Sequence, residues 1–256
     1  MHTRFILIET SHAGNVGATA RAMKVMGFSD LVLVRPRWSN VLRREETIQR
    51  ASGALDVLHN ARIVDALDDA LEGMTHLCAT AMTPRDFGPP TVEPRPHFTE
   101  LVEHTGVAFL FGSERYGMRN EDVYRCHACI RIPTNPQFGS LNLASAVQVL
   151  AYEWRLALGG FTNPEQNNAT TTPMPMPSST STSAPTSERA DAQQIAGLLS
   201  HWQEALTAID FLDPDSPKKL MPRLNQLLNR AGLTQEEVHI LRGIAKATLQ
   251  ASAVKR

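Results

Sequence analysis

Five short apolar runs punctuate the first 160 residues: FILIE at 5–9, LVLV at 31–34, THLCAT at 75–80, VAFLFG at 107–112 and CIRI at 129–132. Each has the length of a strand. Each is continuous rather than alternating, which fits strands buried on both faces of a parallel sheet. Between them the spacing turns helical. Residues 16–26 put Ala20 and Met23 on one stripe, with Ala22 and Met26 beside it. Residues 65–72 open on Asp65 as N-cap, with acids in the first turn. Asn142 to Leu158 carries Leu143, Val147, Leu150 and Trp154 at helical spacing. Strands alternating with helices predict an α/β fold, a parallel sheet with helices on both faces.

The pattern then stops. Residues 161–188 are Thr, Ser, Pro and Asn with almost nothing to bury, so they read as a flexible linker. Residues 189–256 return to helical periodicity. Three helices are expected, at about 189–212, 217–231 and 234–252, with Leu198, Leu199, Trp202, Leu206 and Ile209 on one apolar face. Pro217 and Thr234 mark the later starts. The division is thus 1–160, a linker at 161–188, and a small all-α segment at 189–256.

Composition narrows the class. At 42% hydrophobic and 20% charged the chain is an ordinary soluble protein. A net charge of −1 excludes wholesale coating of nucleic acid but permits a local basic patch. The apolar run at Phe5–Ile8 is far too short for a signal peptide or a membrane span, so a cytoplasmic location is expected and no membrane. Cys78, Cys126 and Cys129 read as reduced thiols. Cys126-His-Ala-Cys129 lacks a second Cys-x-x-Cys to complete a zinc site, so it reads as structural and no metal is expected.

Three polar clusters sit where the strands end. The first, His12-Ala-Gly14-Asn15-Val-Gly17-Ala-Thr-Ala-Arg21, joins the first strand to the first helix. Its glycines permit close approach of backbone or ligand, and Arg21, one turn into the helix and facing the strand ends, suits a phosphate. A plain turn with a helix cap accounts for it equally well. The second is Phe111-Gly112-Ser113-Glu114-Arg115-Tyr116-Gly117, at the carboxyl end of a buried strand, where open α/β sheets bind ligands. Glu114 there either holds a backbone or ribose group or forms a solvent-facing pair with Arg115. The third, Ile132-Pro133-Thr134-Asn135-Pro136-Gln137-Phe138-Gly139-Ser140-Leu141-Asn142-Leu143, is an irregular loop entering a helix. Ser140 or Asn142 could cap that helix, hold a ligand, or do both.

Taken in order, N-x-G-x-x-x-R, F-G-x-E-x-x-G and I-P-x-N-P-x-x-x-S-L-N-L-A-x-A-V resemble the SPOUT class of RNA methyltransferases over residues 4–160. ETSHAGNVGATARAMKVMG and SLNLASAVQVLAYEWR are similar to the members that methylate ribose 2′-hydroxyls of cytidine and uridine in tRNA. The resemblance implies a trefoil knot from about Val107 to Arg155, a homodimer, and S-adenosylmethionine as methyl donor. It implies donor binding by Thr80, Ala81, Met82, Gly112, Ile132, Gly139, Ser140 and Leu141. It places Asn15, Arg21, Arg85, Glu114, Ser140 and Asn142 near the reacting ribose, with Pro84 reshaping the loop around Arg85. The implied target is position 32 of the anticodon loop.

A ribose hydroxyl is almost wholly neutral near pH 7, so the site must align the reactants and help a proton leave. Arg21 reads as a clamp on the adjacent phosphate that stabilises developing alkoxide charge, with Ser140 or water taking the proton. Arg35, Arg37, Arg43, Arg44 and Arg50, with Lys218, Lys219, Arg223 and Arg230, are candidate RNA contacts, or else a solvated charged face. Glu45 and Glu46 directly follow Arg44 and weaken the first option. Three rivals stay open: ribose methylation of rRNA, a non-catalytic RNA-binding protein on the same fold, and a nucleotide-dependent oxidoreductase. The last lacks the glycine fingerprint such enzymes need.

Overall fold

The computed structural model describes residues 2–81, 85, 86, 88–161 and 188–254. The expected linker therefore lies almost wholly outside the described residues. Seven strands form one sheet: β1 (His2–Ile8), β2 (Asp30–Val34), β3 (Arg62–Val64), β4 (His76–Thr80), β5 (Thr91–Val92), β6 (Gly106–Phe111) and β7 (Ala128–Ile130). Their order is β3-β2-β1-β6-β4-β7-β5, and every pairing is parallel. Late strands are inserted between early ones, β6 between β1 and β4, and β7 between β4 and β5. All seven carboxyl ends face the same way, so every loop that leaves them converges on one edge.

The unbroken apolar runs are unbroken because both faces are covered. Phe5, Leu7, Leu31, Leu33, Phe109 and Phe111 share one core with the helices α1 (Ala13–Val25), α2 (Glu45–Ala51), α3 (Leu55–Asn60), α5 (Pro94–Leu101) and α7 (Leu143–Ala157). The alternate positions Ile6, Ile8, Val32, Val34, Ala108 and Leu110 face α4 (Leu67–Leu71), α6 (Asn120–Tyr124) and the first residue of α8 (Ala192–Ala208). Trp154 of α7 is fully buried, and its indole N–H donates to the Thr3 hydroxyl at 2.9 Å, so the ring enters the core with its polar atom satisfied.

Strands β3 and β5 went unanticipated because three and two residues carry no period. The expected cap at Asp65 is corrected: Ala66 holds the N-cap position of α4, with no side-chain hydrogen bond. In the C-terminal part α8 is followed by α9 (Leu220–Ala231) and α10 (Gln235–Val254). A capping box at Asp191 and Gln194 starts α8. Leu198 and Val238 are buried against partly buried Leu199, Trp202 and Leu241. Ile209 is 46% exposed, so the predicted apolar face ends before it; α8 stops at Ala208 and its side chain projects past the contact. Gln226 and Asn229 of α9 donate to the carbonyls of Gly88 and Arg125, which seats these helices on the sheet domain.

Helices α1 and α2 are in backbone contact. A Cβ on Gly17 would sit 2.0 Å from the Thr47 carbonyl oxygen, and that oxygen belongs to a helix that cannot give way locally. Gly17→Ala is therefore expected to destabilise the chain by about 1–3 kcal/mol or more, read as a lower urea midpoint with an unchanged m-value.

Candidate functional site

A cleft of about 790 Å3 opens at the carboxyl edge of the sheet, a size suited to a small organic cofactor. Thr80 and Ala81 after β4, Gly112–Met118 after β6, and Ile130–Leu143 after β7 contribute to its walls, with His12 and Asn15 of the β1–α1 connection. The loop after β6 reverses sharply. Ser113 and Gly117 exchange backbone hydrogen bonds at 3.1 and 2.8 Å, and Gly117 takes φ of 68°. Gly112 lies so close to this turn that a Cβ would fall 2.1 Å from the Gly117 carbonyl carbon. Both glycines of F-G-x-E-x-x-G are thus demanded by backbone shape.

That reversal delivers Glu114 to the start of α1. Its carboxylate accepts from the Thr10 hydroxyl (2.9 Å), the Ser11 N–H and hydroxyl (both 2.8 Å) and the Asn15 amide (2.8 Å). Burial alone would raise its pKa. The bonds from Asn15 and Ser11 outweigh that and hold it down to about 2. The Asn15 side-chain oxygen in turn accepts from the Asn142 amide at 3.0 Å, and Asn142 caps α7 by accepting from the Ala144 N–H at 3.0 Å. One hydrogen-bonded chain, Asn142–Asn15–Glu114, joins the three motifs. Glu114 makes no pair with Arg115, which instead covers the Tyr116 ring. Asn142, rather than Ser140, is the cap of α7.

Of the expected donor-binding residues, Thr80, Ala81, Gly112, Ile132, Gly139, Ser140 and Leu141 all line the cleft, and Met82 lies outside the described residues. Asn15, Glu114, Asn142 and Arg85 line it too; the Arg85 Nε is buried with no partner among the described residues. Arg21 does not line it. It is exposed on α1, six residues beyond Asn15, which at 100° per residue turns it about 120° away from Asn15 around the helix. The expectation that it faces the strand ends is corrected on that ground. Thr10 and Ser11 were not singled out; Glu9, with φ of 53°, turns the chain out of β1 and lets both hydroxyls reach Glu114.

A second hollow of about 670 Å3 adjoins the cleft, sharing His12 and Ser113–Tyr116 and adding Arg37. Among the candidate RNA contacts, Arg37 and Arg44 lie over the Trp38 ring at 4.8 and 4.5 Å. Arg35 is taken up by Glu9 and the Asp65 carbonyl, while Arg43 and Arg50 are exposed. All three cysteines are free and buried, and burial pushes their thiols up, so each carries its proton in the metal-free chain.

Because the folded pKa of Glu114 is depressed, its contribution to stability is present above its ordinary value near 4.5 and fades as pH falls toward about 2. The gap in denaturation midpoint between the unaltered chain and Glu114→Gln is expected to be flat above pH 5 or so and to close below 4.5. A gap that stayed constant down to pH 2 would contradict the ionised network.

Comparison with known proteins now bears on the cleft. The profile of the SpoU rRNA Methylase family matches residues 2–152, and that of the tRNA methyltransferase TrmJ C-terminal domain matches residues 193–256. The chain is 41% identical over 253 residues to the tRNA (cytidine/uridine/adenosine-2′-O-)-methyltransferase TrmJ of Pseudomonas aeruginosa, covering 96% of this chain and 93% of that one. It is 38% identical over 249 residues to the tRNA (cytidine/uridine-2′-O-)-methyltransferase TrmJ of Yersinia enterocolitica, covering 94% and 89%. The crystal structure of TrmJ from Z. mobilis superposes with a TM-score of 0.78 at 27% identity, over 96% of this chain and 99% of that one. With its cleft-forming part matched by the SpoU profile and its last helices by the TrmJ profile, the chain belongs to the SpoU methylase family of RNA methyltransferases, in its TrmJ branch.

Proposed function

We propose that the chain methylates a ribose 2′-hydroxyl of tRNA, with S-adenosylmethionine as donor and position 32 of the anticodon loop as target. The observation that carries this is the Asn142–Asn15–Glu114 chain spanning one cleft, in a protein with TrmJ relatives over nearly its whole length. The TrmJ-type C-terminal helices favour tRNA over rRNA. The relatives differ on whether adenosine is accepted beside cytidine and uridine, so base range is open to direct measurement.

The cleft suits the donor chemically. Strand ends at Thr80 and Ala81 and loop residues Ile132, Gly139 and Leu141 offer backbone groups to an adenine edge and a ribose. The unpartnered, buried Arg85 Nε would take an anionic group, such as the donor's carboxylate. When bound, S-adenosylmethionine supplies a sulfonium methyl already activated for displacement. The protein's task is then alignment and charge. Glu114, with its proton affinity pulled down to about 2, is too weak a base to accept the ribose proton and acts by fixing Asn15. The ribose proton leaves to bulk solvent through water, and the Ser140 hydroxyl, exposed on the cleft wall, can relay it by passing on its own proton as it takes that one.

Charge stabilisation falls to Arg21. Since it is exposed and points away from its own chain's cleft, we assign it to the cleft of a second copy in a homodimer. Packed helices α1 and α7 leave Val25, Tyr152 and Leu156 exposed, apolar surface that a homodimer would cover. The trefoil knot, the cytoplasmic location, and a role for residues 189–256 in RNA binding or dimer support belong to the same proposal. No helix among the described residues is long and apolar enough to cross a membrane.

Arg21→Lys is expected to lower the methyl-transfer rate by roughly a hundredfold while leaving donor binding by calorimetry unchanged. Full activity would remove the planar guanidinium from the mechanism. Affinity for tRNA should fall steeply with added salt, and Arg37→Glu with Arg44→Glu should flatten that dependence. Nucleoside mass spectrometry of tRNA from cells with and without the protein tests the reaction itself: the 2′-O-methylated nucleoside at position 32 should vanish in its absence.

A further inference from the structure

The opposite edge of the sheet, where the strands begin, holds a second polar assembly that the methyl-transfer cleft does not use. Four imidazoles pack around one another there. His76 opens β4, His97 lies on α5, His104 precedes β6 and His127 precedes β7. The rings of His104 and His127 stand 4.7 Å from that of His76, and the ring of His97 stands 5.4 Å away. His76 is only 8% exposed. Burial, with the neighbouring imidazoles, pushes its pKa far down and holds His104 and His127 down to about 4, so the group is neutral near pH 7.

A proton count distinguishes the four. His127 Nδ1 accepts from the Leu77 N–H at 3.1 Å, so its proton is on Nε2. His104 Nε2 lies 3.1 Å from the Arg189 guanidinium, a permanent donor, so its proton is on Nδ1. Neither has a lone pair to spare. His97 differs: its Nδ1 faces the Glu100 carboxylate at 3.9 Å, which favours the proton there and leaves Nε2 as an acceptor. The Nε2 atoms of His76 and His97 are both buried with no partner among the described residues. With His104 Nδ1 they make three unpartnered nitrogens in one cluster, costly to leave unmatched; the His104 atom carries its proton, so only the two Nε2 atoms can ligate. Cys78 completes the geometry. It lies two residues along β4 from His76, hence on the same face, and one ligand atom from each of His76, Cys78 and His97 lies within 4.8 Å of the other two.

We propose that His76, Cys78 and His97 hold a zinc ion, with a water molecule completing the tetrahedron. Two imidazole nitrogens and one thiolate suit a borderline divalent ion that accepts both donor types. Cys78 would bind as thiolate, its proton passing to solvent as the metal–sulfur bond forms. Glu100, 3.9 Å from His97 Nδ1, supplies a nearby negative charge that favours the proton on that nitrogen. Along β4, His76 is roughly 13 Å and Cys78 roughly 7 Å from Thr80, where the cleft begins, so the two sites share a strand but no residue. Its role is to fasten α5 to the first residues of β4, beside the His104–Arg189 contact that leads into α8. It answers a different question from the Cys126–Cys129 spacing, which contributes no ligand to this set.

The test uses the full-length chain, freed of any affinity tag and treated with a chelator, then titrated with cobalt(II) and afterwards with zinc. One equivalent of cobalt is expected, with tetrahedral d–d bands and a thiolate charge-transfer band that zinc abolishes. Cys78→Ser should lose the charge-transfer band. His97→Gln should bind more than about tenfold more weakly. His59→Gln, at an exposed histidine of α3, should behave as the unaltered chain does. Zinc should also raise the melting temperature of the unaltered chain but not of His97→Gln, a reading that holds even if Cys78→Ser fails to fold. Absence of a stoichiometric cobalt spectrum overturns the site, as does a spectrum unchanged in His97→Gln. Donor binding, measured on the same samples, tests the methyltransferase reading separately.

Discussion

A carboxylate that accepts four hydrogen bonds ties its donors together more firmly than any one of them is tied to its own helix or loop. Glu114 does this at the carboxyl edge of the sheet. The β1–α1 connection meets it through Thr10, Ser11 and Asn15, and the loop before α7 joins through Asn142 and Asn15. Three segments far apart in sequence thereby become walls of one cleft with little freedom to move independently. Displacing any one strands a buried or half-buried polar group of another, which is the expensive outcome. Preorganisation of this kind matters for methyl transfer, where the donor is already reactive and most of the remaining barrier is alignment.

The sheet determines where that junction can be. With all seven strands parallel, their carboxyl ends share one edge, and insertion of β6 and β7 between earlier strands packs four loop systems into a small space. The same topology gathers the strand beginnings at the other edge, and the histidine cluster belongs there. One parallel sheet thus separates a solvent-open polar site, with exposed Ser140 and Leu141, from a closed one around His76. Their chemistries follow from that difference in access. The first is open to solvent and to a sizeable ligand; the second has room for little beyond a single ion and a water.

Much of this was legible because buried parallel strands write themselves as unbroken apolar runs. Five of the seven strands announce themselves that way, and the phase of Val147, Leu150 and Trp154 gives the buried face of α7 directly. β3 and β5 were silent, being too short for any period and defined only by the neighbours they pair with. The cleft residues were legible through the motif resemblance rather than through composition, since Gly112 and Gly117 earn their places by a turn that only coordinates reveal. Thr10 and Ser11 look like ordinary strand-exit residues until the positive φ at Glu9 is seen. The histidine cluster was invisible for a related reason: its members come from β4, α5 and two loops, with no spacing a linear reading could pick out.

Arg21 marks the limit of motif reasoning most sharply. A motif fixes spacing along the chain, and spacing along a helix fixes direction only when the helix phase is respected. Six residues after Asn15, Arg21 leaves the helix about 120° away from it, whatever the rest of the motif does. The cleft that remains is anchored by an ionised carboxylate already satisfied by neutral donors. Arg85, whose buried Nε has no partner among the described residues, lines that cleft together with Arg115 and Arg131. A developing alkoxide calls for positive charge close to the ribose, and Arg21 does not line the cleft of its own chain. In the proposed homodimer a second copy brings Arg21 to this cleft. Val25 of α1, with Tyr152 and Leu156 of the α7 helix packed against it, leaves exposed apolar side chains on the helix pair that bears Arg21, so the exposed cation and the exposed apolar surface occupy one part of the fold.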